Sequence, residues 1–483
     1  MTHGVSRRSL LLAGAGMALP LLSGCTQLPA LWLPPPRGLN LEADGLWQRQ
    51  LWMNALGPRL TGNPAHLAFI DHIAAELHAM DLEVREDVQH FTRWEVRRSA
   101  LVSIDRDKEA VELPIASEYP YSAGTGKEGI IGKIVYGGAV GDKLPDIDLE
   151  GAILYLDAPA PALPFGKFYA DVRPYGSLRE FPMEVTQASG QIVSAPGLED
   201  FAKRGIKAVV FGWTNVSEGQ AKGQYIPFNR ALQPIPGLWV GPTVAAHLKK
   251  LAKRDVSIRI TLDADLVPAA QSRTLYTLVP GASDKLIVVT THTDGPNAIE
   301  ENGALAMLAM MHNLLRQDPA SRRYSVLFLF ASGHFVGPEA KSTDRFLEIH
   351  PDIRERAIAG LAVEHLGGLE WIDDSNGRYA ATGEAETSLI FAHGEGMADI
   401  AISAAEASAD RRGAVVRPKD LSHFFGEGRA LARAGIPSIG FIPAPSYLLA
   451  GGPNGHVEKL DRGLFEAQTG LCQDLLDKLL SSA

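Results

Sequence analysis

Cysteine is nearly missing from this chain: 483 residues hold only Cys25 and Cys472. Two thiols cannot staple a disulfide-framed fold or build a cysteine-rich zinc site, so any metal must be held by histidine and carboxylate. Basic charge is also short. Lys and Arg number 46 against 56 Asp and Glu, a net charge of -10, which is a poor footprint for nucleic-acid binding. Beyond the N-terminal region, no apolar run is long enough to span a bilayer, and neither internal repeats nor low-complexity tracts occur. The composition that remains is globular, with 46% apolar and 21% charged residues. It excludes disordered and fibrous classes, and the length suggests about three domains.

The first residues read as an address. Ser6-Arg7-Arg8-Ser9 precedes an apolar run from Leu10 to Leu22, then Ser23-Gly24-Cys25. Paired arginines before a short apolar region resemble a twin-arginine export signal, and Leu22-Ser23-Gly24-Cys25 resembles a lipobox, whose cysteine is lipidated and becomes the new N-terminus. The run, about 13 residues, is too short to span a membrane. These features predict an exported chain anchored to a bacterial membrane through a lipid on Cys25, facing the periplasm or cell exterior. Removing residues 1–24 takes away Arg7 and Arg8 and no acid, which moves the net charge from -10 to -12. Residues 25–40, with Pro34-Pro35-Pro36, read as a tether. Cys472 falls in an apolar periodic segment and reads as a core residue.

Helical periodicity covers residues 43–56 and 66–80, within a first part spanning 41–111. From 112 to 266 short β-type runs alternate with Gly/Pro-rich loops, which predicts an independent β-rich domain inserted into another. From 267 to 483 strands alternate with helices: strands over 285–291, 324–330, 357–363 and 438–442, and helices over 301–317, 343–349, 397–407 and 464–480. The fold class is α/β, a mixed, mostly parallel sheet flanked by helices.

The residues just beyond each strand carry the chemistry. The first strand runs into His292-Thr293-Asp294, the second into Ser332-Gly333-His334, the third into Glu364-His365, and the fourth into a Gly/Pro loop that ends at Gly455-His456. If the strands are parallel, these exits share one edge, where open α/β sheets bind ligands. Histidine and carboxylate at one crevice suit zinc or a similar divalent ion. Asn297-Ala298-Ile299-Glu300 fits a capping box, which explains Glu300 locally. Glu301 has no such explanation and is the better ligand candidate. Glu364 ends an apolar strand, where an unpaired carboxylate is costly. His423 and Phe424, together with His365, are candidates for lining a substrate site.

This arrangement resembles the co-catalytic zinc aminopeptidase family, whose relatives include glutamate carboxypeptidase, glutaminyl cyclase and the transferrin receptor. The likeness rests on Leu56–Gly62, on Gly132-Lys133-Ile134-Val135 and Gly205–Phe211 as parts of a protease-associated insert, on Leu286–Asp294 with its His-x-Asp motif, and on Ala434-Gly435-Ile436-Pro437. It implies a metallohydrolase of peptide or amide bonds, with His292, Glu301, Glu364 and His456 holding one or two divalent ions. Glu301, His334 and Asp294 are its implied catalytic groups, and a peptide or small amide its substrate. The family's Asp-Asn-x-Ser-Gly is replaced here by Ile299-Glu300-Glu301-Asn302-Gly303, and its Glu-Glu pair by Gly333-His334-Phe335. Two rival readings are a non-catalytic binding protein on the same scaffold and a cyclase-like transferase.

Overall fold

Leu286–Thr291 and Val326–Phe330 are apolar on both faces, the pattern of strands covered by helices on both sides. In the computed structural model, which describes residues 43–105, 109–254, 256–337, 342–452 and 456–482, they are buried in strands Ser283–His292 and Tyr324–Ala331. The export segment, the tether and Cys25 lie outside the described residues. Strand Ser283–His292 is central, parallel to Tyr324–Ala331 on one side and to Ala357–Val363 on the other, which in turn pairs in parallel with Ser438–Phe441. His292 is level with Ala331, and Val363 with Phe441. The four expected exits therefore leave the sheet along one edge.

Helix Gly303–Leu315 is apolar around most of its circumference (Ala-Leu-Ala-Met-Leu-Ala-Met-Met), which suits a helix buried on all sides. It packs with Phe465, Leu471, Cys472 and Leu475 of helix Arg462–Ser482 on one face of the sheet. Cys472 is a buried free thiol. Phe346, Leu347 and Leu431 cover the opposite face. No helix among the described residues is long and apolar enough to cross a membrane.

Two features describe the inserted region, where an independent β-rich domain is expected. Its strands Ile130–Ala139, Ile153–Asp157, Ala208–Gly212 and Gly237–Val240 run parallel, with helix Pro242–Leu251 packed against them. It is also woven into the main sheet. Strand Ser257–Val279 pairs with Ile130–Ala139 near one end and with Tyr324–Ala331 near the other, while Tyr169–Gly176 closes the far edge against Arg412–Pro418.

Candidate metal centre

His292 ends its strand fully buried. Its Nδ1 lies 2.8 Å from the backbone oxygen of Asp294. A carbonyl only accepts, so Nδ1 carries the hydrogen and Nε2 offers a lone pair. The Asp294 side chain accepts from the Phe335 amide at 3.0 Å and from the Thr61 hydroxyl, which ties the loop around Leu60 to the exit of the second strand. Between them, Thr293 donates to Ala331 O at 3.0 Å and accepts from His66 Nε2 at 2.9 Å. His66 Nδ1 accepts the Gly62 amide at 2.9 Å. Burial, with Arg59 and Arg273 nearby, holds His66 neutral, its pKa lowered to about 3.

The third strand supplies Glu364 and His365. Glu364 Oε1 accepts the Glu427 amide at 2.7 Å, and its Oε2 lies 3.7 Å from His292 Nε2. His365 adopts φ 62°, a left-handed conformation that costs a side-chain-bearing residue ~1–2 kcal/mol. There its Nδ1 donates to Pro443 O at 2.7 Å. Its Nε2 then lies 3.8 Å from Glu364 Oε2 and 3.6 Å from Glu300 Oε2. The fourth strand's exit thus contributes through a carbonyl.

The two adjacent glutamates face different partners. Asn297 Oδ1 does accept the Ile299 and Glu300 amides, at 3.1 and 3.2 Å, but the helix begins only at Gly303 and the Glu300 carboxylate faces His365. Glu301, the expected ligand, forms a fully buried ion pair with Arg59, whose guanidinium also donates to Met53 O at 2.8 Å and to Gly57 O and Asn297 O. A buried arginine needs a carboxylate partner, and Glu301 meets that need.

His334, from the second exit, pairs through Nδ1 with Glu427 Oε1 at 2.8 Å. Glu427 Oε2 accepts the Thr343 amide at 2.9 Å. The His334 ring stacks on His292, with centroids 4.2 Å apart and planes at 14°, and Phe228 of the inserted region lies 5.2 Å beyond it. The His334 side chain is 20% exposed, whereas those of His292 and Glu364 are fully enclosed.

The electrostatics follow from this enclosure. Burial, then the nearby Glu427 charge, pushes Glu364 up to about 8. Burial and the neighbouring Glu301 and Glu364 carry Glu300 well above the carboxylate range. Burial drops His292 and His365 to about 3. Burial also acts against the charged forms of His334 and Glu427, but their mutual bond outweighs it, raising His334 and holding Glu427 at about 2. A divalent cation beside Glu300 and Glu364 favours both ionised carboxylates and neutral imidazole.

The residues fit such an ion. His292 Nε2, Glu300 Oε2, Glu364 Oε2 and His365 Nε2 are buried without a hydrogen-bond partner among the described residues. His292, Glu364 and His365 bring ligand atoms within 4.8 Å of one another, as do His292, Glu300 and His334. Nitrogen and carboxylate oxygen are what zinc takes when no thiolate is on offer.

Other expected residues lie elsewhere. His456 is not in either ligand group, and its Nδ1 is 3.4 Å from Glu458. His423 stacks on Phe168 at 4.4 Å and pairs with Asp420 at 3.1 Å. Phe424 is fully buried against Phe391 at 5.2 Å, a core position closed to any substrate. Sequence reasoning missed Arg59 and Glu427. The signal for Glu427 was its setting in Gly426-Glu427-Gly428: Gly426 has φ 60°, and a Cβ there would run into the Glu364 carboxylate.

Comparison with solved structures places this geometry on a known scaffold. An aminopeptidase from Aneurinibacillus sp. strain AM-1 matches with a TM-score of 0.60 and 13% identity, over 90% of this chain and 93% of that one. BSAP, a zinc aminopeptidase from Bacillus subtilis, matches with 0.61 and 15%, over 92% and 96%. A peptidase M28 precursor from Shewanella amazonensis SB2B matches with 0.63 and 15%, over 91% and 96%. The chain has the zinc-aminopeptidase fold over nearly its whole described length. No family model and no curated protein matches it.

Proposed function

We propose that the chain is a metal-dependent hydrolase of peptide or amide bonds, exported and held at a bacterial membrane by a lipid on Cys25. One observation carries the enzymatic reading: buried, unpartnered histidine and glutamate atoms from separate parallel strands and the following turn converge at the sheet edge. Leaving such groups unpaired costs stability, a cost with no return in a purely non-catalytic binder. The zinc aminopeptidases of the same fold support the reaction class, and the twin-arginine and lipobox resemblance supports the address.

His292, Glu364 and His365 would hold an ion, and Glu300 with His334 completes a second ligand group around His292. When bound, a divalent ion there supplies Lewis-acid polarisation of a carbonyl and makes water more acidic. His334 is the histidine of the cluster that reaches solvent. With Nδ1 fixed on Glu427, it carries a proton at Nε2 between the reacting groups and solvent. Asp294 positions: its carbonyl sets the His292 tautomer, and its carboxylate clamps Thr61 and the Phe335 amide.

The test is hydrolysis of a panel of aminoacyl p-nitroanilides and short peptides by zinc-loaded protein, before and after chelation. The expected result is turnover that chelation abolishes and zinc restores. Zinc-loaded protein that is inert towards the whole panel, or turnover that ignores chelation, contradicts the reading.

A further inference from the structure

His334 is held by Glu427 in only part of its orientation. The bond from Nδ1 to Glu427 Oε1, at 2.8 Å, settles where Nε2 points. A single hydrogen bond still leaves the ring free to tilt about the bond axis, and packing on the ring faces removes that freedom. We infer that Phe228, in the inserted region, is a positioning residue that sets the plane of the His334 imidazole. The inference rests on the hydrolase reading and on the place of His334 in it.

The stack of rings is the first argument. The His334 ring lies 4.2 Å from His292 with planes at 14°, and 5.2 Å from Phe228 with planes at 29°. Phe228 and His292 make no ring contact with each other among the described residues, so the imidazole lies between them. Phe228 is half-buried and also meets Phe335, the next residue after His334, at 4.7 Å. Glu427 therefore holds one edge of the imidazole, and two rings hold its faces.

The second argument is that Phe228 is itself fixed. The Tyr225 amide donates to Leu449 O at 2.8 Å, which ties the segment to the main domain. Buried Trp239 donates from Nε1 to Ile226 O at 2.8 Å, and Arg230 donates to Ala195 O at 2.5 Å, which tie it to the inserted region. Ile226 is fully buried in a cluster with Phe335 and Leu449. The grip is returned just after the histidine. Tyr121 of the inserted region donates to Phe335 O at 2.6 Å, and Gly337, at φ 61°, has no room for a Cβ against Arg230 O. The inserted region thus forms a wall of the site, with Phe228 as the part that meets His334. Space alone could be filled by leucine; matching a flat imidazole face takes a ring.

The test compares Phe228→Leu and Phe228→Tyr in purified zinc-loaded protein, with Phe228→Leu also placed in a His334→Gln background. Leucine keeps most of the volume and removes the flat face. Phe228→Leu should lower kcat by about 10-fold or more, with KM changed less than about threefold, and Phe228→Tyr should restore most of the lost rate. In His334→Gln, the leucine should change kcat by less than about twofold, because the ring it served is gone. A readout independent of turnover is the rate at which diethyl pyrocarbonate modifies His334 in chelator-treated protein, followed by mass spectrometry. That rate should rise several-fold in Phe228→Leu, while His423 keeps its own. Phe228→Met repeats every arm if Phe228→Leu does not fold. A wild-type kcat or an unchanged His334 modification rate in Phe228→Leu overturns the inference. So does an equal fall in kcat with and without His334, which would make Phe228 a packing residue. Protein inert towards the whole panel overturns the hydrolase reading instead, and the modification rate alone then decides whether Phe228 holds His334.

Discussion

His365 Nε2 stands 3.6 Å from Glu300 Oε2, in an interior where both atoms lack any hydrogen-bond partner among the described residues. That separation is too long for a hydrogen bond and suits two ligands of one ion. The neighbouring Glu301 is bound instead to Arg59.

This division predicts opposite stability effects. In chelator-treated protein, Arg59→Met leaves Glu301 as an uncompensated buried charge and should cost about 3–5 kcal/mol. Glu300→Gln removes a buried acid that has no counter-charge and should be neutral or stabilising by about 1–2 kcal/mol. Urea unfolding of the three proteins measures both. Equal destabilisation by the two substitutions would mean that Glu300 is a structural group.

Glu427 accepts from two donors at once, His334 Nδ1 and the Thr343 amide, which only a carboxylate can do with both of its oxygens. Glu427→Gln turns an amide NH2 towards one of these donors and should free the His334 ring. The expected effect is a fall in kcat of about 100-fold, in the range of a lost proton carrier, with KM changed less than about threefold and metal content unchanged. Steady-state kinetics beside metal analysis checks this. A variant with wild-type kcat removes His334 and Glu427 from the mechanism.

Gly426 allows the backbone to approach Glu364 at φ 60°. Gly426→Ala adds a methyl group against the carboxylate on top of ~1–2 kcal/mol of backbone strain. Metal affinity should fall by about 10–100-fold, as for a damaged outer partner, while the circular dichroism stays that of the parent. Chelator competition reads the affinity, and an unchanged value would show that the loop does not brace Glu364.

His66 gives a pH signature away from the ligands. Its folded pKa of about 3 lies below the ordinary 6.5, so between these values the unfolded chain binds the extra proton. Stability therefore falls as pH drops through that window, by up to about 1.4 kcal/mol per pH unit for this group. His66→Gln cannot charge and should flatten the slope between pH 6.5 and 4. Urea midpoints in chelator across that range test it; identical slopes would show that His66 is not held neutral.

Much of the scaffold is legible in the sequence. Strand Ala357–Val363 and helix Met397–Ala407 match their expected bounds residue for residue, since each is a continuous apolar or strongly periodic run closed by polar residues. The long strands Arg85–Ile104 and Ser257–Val279 are legible only at one end. They are half solvated, and bulges between Phe91 and Arg93 and between Val96 and Arg98 reset the alternation of faces. At the site, His292, Glu364 and His365 stand out because strand ends announce them. The choice between Glu300 and Glu301 depends on Arg59, which lies 242 positions earlier, and the orientation of His334 on Glu427, 93 positions later. No local pattern carries such distant partners. Read locally, Asn297 with Glu300 looks like a helix cap; the Asn297 side chain does accept the Ile299 and Glu300 amides, but in a turn, since the helix begins at Gly303 after Asn302.

The central claim is that the strand-end cluster binds a divalent ion. The most direct test is the zinc content of protein purified from zinc-replete medium, measured by atomic spectroscopy beside folded His292→Ala and Glu364→Ala variants. The expected result is at least one zinc per chain in the parent and under about a tenth of the parent's content in either variant, since each loses a ligand atom from an enclosed site. A zinc-free parent, or variants that keep the parent's content, would contradict it.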